Sequence, residues 1–261
     1  MKDSASAKKD PNGVILLSGG FDSVALAIVL KKIGLDLQPV YMSHRPNVGN
    51  VTKKEIVAAS RVACDVFGRR LLIVKAPAKG KEPEWYHEFG NVAFSKRLPV
   101  PMSRKYLRNR TFLAVLGDLD LDFGVVAVGL LGTTERTPRN RLADEEHSLL
   151  QKKTKGKLVT PQDLFSSGIR SSDRTERKLR AKAALLCEIG KRGRWPEIMW
   201  GSQSCRIYFK KHDGNCNSCK ERAVAFMEAW GEDRTDYRKG SWADRVRRGL
   251  LPALLPTQAE E

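Results

Sequence analysis

The sequence predicts an α/β protein built on a doubly wound parallel sheet, with a small zinc-binding region toward its C-terminus. Three observations predict it. Near-continuous apolar runs at 14–17, 37–43, 71–74 and 125–131 alternate with helix-like segments, the pattern of parallel strands covered on both faces. The first run passes through two glycines directly into a helical stretch. Three of the five cysteines bunch between 205 and 219, two of them as Cys-x-x-Cys.

Each element follows from local chemistry. Residues 1–12 are charged and lack an apolar segment, so they are expected to be a disordered leader and not a secretory signal. The 14–17 strand ends at Ser18-Gly19-Gly20-Phe21-Asp22-Ser23, and 24–30 continues as helix. Gly19 and Gly20 allow a tight turn, and the first N–H groups of the helix then face whatever occupies it. Ser18 and Ser23 add hydroxyls. Asp22 repels a bare phosphate, and its presence is explained if a Mg²⁺ ion stands between the two. Residues 37–43 form a second strand, and 52–67 a helix with Thr52 as N-cap and Glu55 completing a capping box. Residues 71–74 are a third strand. Residues 80–104, with Trp85, Tyr86, His87 and Phe89, read as an insertion near the site. A helix over 106–119 precedes the strand at 125–131, the polar stretch 132–160 reads as a loop, 179–189 is helical, and 252–261 is a loose tail. Ligands in such sheets sit beyond the carboxyl ends of the strands. That places 18–23, 43–50 and 129–134 at one rim.

Composition narrows the class. A hydrophobic content of 41% suits a globular chain, and no apolar run approaches the length of a membrane span, so a cytoplasmic location is expected. Lys and Arg number 47 against 30 acids, a net charge of +17, which favours anionic partners such as nucleic acid or phosphorylated small molecules. The basic clusters lie late, at 170–182, 191–194, 206–211 and 234–248; singly, each reads as a solvated helix face. Cys64 and Cys187 lie in apolar helical context and read as core. Cys205, Cys216 and Cys219 suggest a metal before a disulfide, and a tetrahedral Zn²⁺ needs one more ligand, from His212 or Asp213.

The loop at 18–23 is neither Walker A nor Gly-x-Gly-x-x-Gly. Ser-Gly-Gly-x-Asp-Ser resembles the PP-loop of the ATP pyrophosphatases, which cleave ATP between its α- and β-phosphates. The cysteine region resembles the zinc region of one group of these enzymes, the 7-cyano-7-deazaguanine synthases. The matching blocks are Cys205, then 211–223 (Lys-His-Asp-Gly-Asn-Cys-Asn-Ser-Cys-Lys-Glu-Arg-Ala), then Ala225-Phe226, then 233–237 (Asp-Arg-Thr-Asp-Tyr). Arg108-Asn109 with 111–113, and the strand at 125–129, are similar to two further blocks of that family. Two positions differ. Asp213 stands where the family has a cysteine, and 132–141, with three arginines, replaces the segment beside the family's deazapurine substrate.

The resemblance implies a PP-loop ATP-binding domain over 13–200, a zinc-knuckle and helical region over 201–251, and the tail beyond. It implies ATP, Mg²⁺ and Zn²⁺ as cofactors. It places Ser18, Gly19, Gly20, Phe21, Asp22, Ser23, Met42, Arg108 and Gly129 around the nucleotide, with Asp22, Ser23 and Arg108 in the chemistry. Cys205, Asp213, Cys216 and Cys219 form the metal site, with His212 the alternative to Asp213. The implied reaction is adenylation of a 7-deazaguanine-type carboxylate, then capture by ammonia or another amine to give an amide or nitrile. A protein acceptor, as in antiphage defence, and a homodimer belong to the same set of expectations. Two other readings stand beside it: a PP-loop enzyme that adenylates a base in tRNA, which suits the +17 charge, and a non-catalytic nucleotide-binding subunit.

Overall fold

The computed structural model describes residues 11–43, 49–75, 84–87, 90–91, 124–129, 158–161, 164, 174–203, 205 and 211–253. Seven strands form one sheet: β1 (Gly13–Leu16), β2 (Leu37–Ser43), β3 (Leu72–Lys75), β4 (Glu84–His87), β5 (Gly90–Asn91), β6 (Val125–Val128) and β7 (Leu158–Val159), in the spatial order β5-β4-β3-β2-β1-β6-β7. The five strands β3, β2, β1, β6 and β7 run parallel, while β4 and β5 extend the β3 edge antiparallel. The chain builds outward from β1 to β2 and β3, and later returns to β1's other side as β6. The order therefore reverses between β1 and β6, which is where open α/β sheets bind ligands.

Six helices are described: α1 (Phe21–Lys32), α2 (Gly49–Phe67), α3 (Arg174–Ile189), α4 (Trp195–Trp200), α5 (Asn217–Trp230) and α6 (Trp242–Arg247). From 23 to 30 α1 has no polar face beyond Ser23, and every residue in that stretch is buried. A helix apolar on all sides must be covered on all sides, and α1 packs against α2, α3, α4 and β6. The main core gathers Ile15 and Leu17 with α1, Val62, Val66 and Phe67 of α2, and Leu185, Leu186 and Ile189 of α3. It also takes Met199 of α4 and Ala225, Phe226 and Trp230 of α5. The cysteine-bearing segment thus lends its long helix to the same core as the sheet. The Trp230 indole N–H donates to the Leu186 carbonyl at 2.9 Å, tying α5 to α3.

Several expectations need correction. α2 starts at Gly49, so Thr52 lies inside the helix and does not cap it. The 80–104 insertion contributes β4 and β5 to the sheet, and β7 falls within the expected 132–160 loop; strand pairing across a sheet edge leaves little local signal when strands are this short. α3 begins at Arg174, five residues before the expected start. Cys64 and Cys187 are exposed, because α2 and α3 turn their neighbours Val62, Ala63, Leu185 and Leu186 inward. Lys182, read as part of a solvated basic run, is buried on the inner face of α3. The expected helix at 106–119, the 132–141 segment and most of both tails lie outside the described residues.

The Arg222 side chain is fully buried on α5 and donates to the carbonyls of Met199 (2.8 Å), Trp200 (2.9 Å) and Ser202 (3.1 Å) and to the hydroxyls of Ser202 (2.7 Å) and Thr235 (2.9 Å). Arg222→Met keeps the volume and removes every donor. It is expected to lower the unfolding free energy by at least about 3 kcal/mol, since buried acceptors left unpaired cost about 1–3 kcal/mol each. Urea denaturation followed by far-UV circular dichroism measures the loss, and a midpoint like that of the parent would contradict it.

Candidate functional site: a glycine loop and a thiol cluster joined by α5

The 18–23 loop leaves the carboxyl end of β1 and enters α1. Gly20 is the N-cap residue of α1, and no side chain caps that end. Gly19 has φ +72°, and a Cβ there would come 2.9 Å from the Glu55 carbonyl oxygen and 3.0 Å from the Ala59 nitrogen of α2. Only glycine meets both demands. Gly129, just past β6, lies against the start of α1: a Cβ on it would come 2.8 Å from the Ser23 nitrogen. The parallel pairing of β1 with β6 thus brings two sequence-predicted site positions, over 100 residues apart in the chain, into contact at the switch point.

The two loop serines brace the turn. Their Oγ atoms lie 3.0 Å apart, the Ser23 hydroxyl donates to the Gly20 carbonyl at 3.1 Å, and the Ser18 N–H donates to Ser23 Oγ at 3.2 Å. The Gln203 N–H donates to the Gly19 carbonyl at 2.7 Å, so the segment after α4 holds the loop from outside. Asp22 Oδ1 is buried and makes no hydrogen bond among the described residues; the Lys182 ammonium lies 3.5 Å away, an ion-pair distance. Lys182 Nζ is closer to Glu221 Oε2, at 2.8 Å, and sits 5.4 Å from the centre of the Phe21 ring. Burial alone would pull the Lys182 pKa down, but the carboxylates of Asp22 and Glu221 outweigh it and raise the pKa, so the side chain is charged. Met42 is in β2, and its backbone lies two strands from β6 along the order already given. Arg108 lies outside the described residues.

The sulfur atoms of Cys205, Cys216 and Cys219 all lie within 4.8 Å of one another. Cys216 is the N-cap residue of α5, and Cys219 lies in its first turn with its N–H on the Cys216 carbonyl at 2.9 Å. Thiolates on one tetrahedral zinc stand about 3.8 Å apart, given Zn–S bonds of about 2.3 Å. The cluster can therefore hold a metal ion, and Zn²⁺ is compatible with its donor set. Asp213 Oδ2 accepts from the N–H groups of Cys216 (2.6 Å) and Asn215 (3.1 Å), which shapes the turn that opens α5, and the Asp213 N–H points at Cys205 Sγ at 3.3 Å. His212 Nδ1 lies 3.8 Å from Cys219 Sγ. Burial and the nearby Arg222 guanidinium push the His212 pKa down to about 3, so the imidazole is neutral at physiological pH. A bridge between His212 and Tyr237 holds the strand of chain carrying it, and the Tyr237 hydroxyl donates to Asp233 at 2.7 Å.

The two sites share α5. Cys219 faces the thiols, Glu221 reaches Lys182, and Arg222 reaches the 199–202 segment that leads to Gln203 and the loop. Phe226, one turn on, meets Phe21 edge-to-face with centroids 5.4 Å apart. Lys182 and Glu221 were not singled out from sequence. A signal existed: Lys182 stands between Ala181 and Ala183, three and four residues before Leu185 and Leu186, on the apolar side of its helix. Among the described residues, no helix is long and apolar enough to cross a membrane.

Comparison with family models, curated proteins and solved structures yields no match.

Two outcomes are expected of the thiol cluster. Purified protein carries about one zinc per chain by elemental analysis, and Cys219→Ser loses the metal and lowers the melting temperature. In metal-free protein, hydrogen bonding from Cys219 outweighs burial and brings the Cys216 thiol down to about 6, while Cys219 is pushed up. Alkylation by iodoacetamide, followed by mass spectrometry, therefore modifies Cys216 before Cys219, with a rate that rises through pH 6 and is near its plateau at pH 7.5. Preferential labelling of Cys219 would contradict this.

Proposed function

We propose that the chain is an ATP-dependent ligase that adenylates a carboxylate, a 7-deazaguanine-type acid in the first instance, and passes the acyl group to ammonia or another amine. The observation that carries this reading is the glycine loop at the β1–β6 switch point, with Asp22 at the start of a buried helix and Gly129 packed against it. A simple phosphate cradle has no use for a carboxylate; a loop that binds a triphosphate through a divalent ion does. The amide groups at the open end of α1 suit the charge of departing pyrophosphate. Mg²⁺ held by Asp22 would supply charge neutralisation on the phosphates. The substrate carboxylate attacks the α-phosphorus, pyrophosphate leaves toward the loop, and the amine then displaces AMP from the acyl carbon. Most of the catalysis is positioning and electrostatics, so no side-chain base is required for the first step.

For the thiol cluster we infer a structural Zn²⁺ with His212 as its fourth ligand. The imidazole is neutral and next to Cys219, while Asp213 is engaged with the backbone at the start of α5. A second reading, adenylation of a base in tRNA, draws support from the net charge of +17.

The deciding experiment incubates the protein with Mg-ATP, ammonia and 7-carboxy-7-deazaguanine and resolves the nucleotides by chromatography. AMP and pyrophosphate are the expected products, and Asp22→Ala should reduce their formation at least 100-fold, roughly 2.7 kcal/mol of lost transition-state stabilisation, with the melting temperature little changed. ADP as the sole product would overturn the reading. Turnover that requires added tRNA would favour the second one.

A further inference from the structure

We propose that Lys182 is a tethered cation with two seats, Glu221 and Asp22, and that Glu221 is the positioning residue that frees the Asp22 carboxylate for a divalent ion arriving with a triphosphate. This role rests on the loop's binding a Mg-nucleotide, and it assigns a part to two residues that no loop motif contains.

The geometry is asymmetric. Lys182 Nζ makes a close ion pair with Glu221 at 2.8 Å and a looser one with Asp22 at 3.5 Å. The Lys182 side chain is 6% exposed and that of Asp22 32% exposed. Since Asp22 Oδ1 is itself buried against the ammonium, the exposure of Asp22 lies on its other atoms. One carboxylate oxygen is thus held near a fixed cation while the rest of the group faces the loop. The packing of Lys182 against Phe21, the residue before Asp22, keeps the ammonium from swinging away.

Both carboxylates lie within ion-pair distance of the one ammonium, and charges this close inside a protein interact strongly. A divalent ion at Asp22 repels the ammonium. The Glu221 carboxylate, the closer partner, keeps the ammonium when an ion takes Asp22. Replaced by a neutral amide, residue 221 would no longer hold it there, and the ammonium would compete with the incoming metal for Asp22. Glu221 is two residues from Cys219 on the same helix, so the cysteine knuckle that opens α5 also sets where the ammonium's preferred seat stands. A purely structural salt bridge would affect stability and leave the metal requirement of nucleotide binding alone.

The test is calorimetric titration of an ATP analogue with a methylene bridge between its α- and β-phosphates, at a series of Mg²⁺ concentrations. Glu221→Gln preserves size and an acceptor for Lys182 but removes the charge. Its Mg²⁺ midpoint for analogue binding is expected to rise by about tenfold, on the order of one partly screened charge contact, while saturating Mg²⁺ restores the parent affinity. Glu221→Asp, which keeps the charge at a longer reach, gives a smaller rise in the same direction. An unchanged midpoint in folded Glu221→Gln overturns the proposal. If that variant does not fold, an unchanged midpoint in Glu221→Asp overturns it. Failure of the parent protein to bind the analogue at any Mg²⁺ concentration removes the nucleotide reading itself, an outcome distinct from parent binding with an unmoved variant.

Discussion

The buried guanidinium of Arg222 is the constraint on which the rest of the arrangement depends. A charge with no exposed surface is tolerated only when its donors are matched. Among the described residues the partners include three main-chain carbonyls and two hydroxyls, drawn from 199–202 and Thr235. The carbonyls are those left open where α4 ends, so one side chain of α5 closes the end of another helix. The cation also lies over the rings of Phe226 and Phe21, at 5.0 and 5.8 Å. Three parts of the chain that are distant in sequence are thereby held in one register: the loop helix α1, the segment after α4, and the cysteine helix α5.

This register explains why a metal-type cluster sits where it does. Among the described residues, Cys205 and Cys219 are buried in a small core with Ala223, Tyr237, Ala243 and Val246. An ion held by the three thiols would crosslink this small cluster. Such a crosslink would secure the first turn of α5, directly before Glu221 and Arg222. The same turn is shaped by the Asp213 carboxylate, and Gly214 before it lies against Ser241, whose hydroxyl accepts from the Asp244 N–H at the start of α6.

The loop itself is a compromise between tightness and charge. Its serines are spent on internal bracing and Gly19 on close approach to α2, while Gly129 beyond β6 lets that chain approach Ser23. The polar group that remains to meet a ligand is Asp22, balanced by an ammonium from α3 and not by a neighbour in sequence. On the proposed reading the loop takes an anion that brings its own cation, and the carboxylate and the buried lysine act together there.

Sequence by itself determined the α/β class, the β1–loop–α1 unit, the boundaries of β2, and the grouping of Cys205, Cys216 and Cys219. These are local: apolar runs, glycines at a turn and a short cysteine spacing each act over a few residues. The placement of Gly129 against Ser23 required the sheet order, which depends on pairing between strands more than 100 residues apart. The burial of Lys182, the exposure of Cys64 and Cys187, and the use of Asp213 as a backbone acceptor depended on which face of a helix or turn met the core. That choice is made by the summed packing of α1, α3 and α5. A basic residue in a basic run carries no local mark that it will end between two carboxylates, because both of them, Asp22 and Glu221, arrive from other elements of the fold.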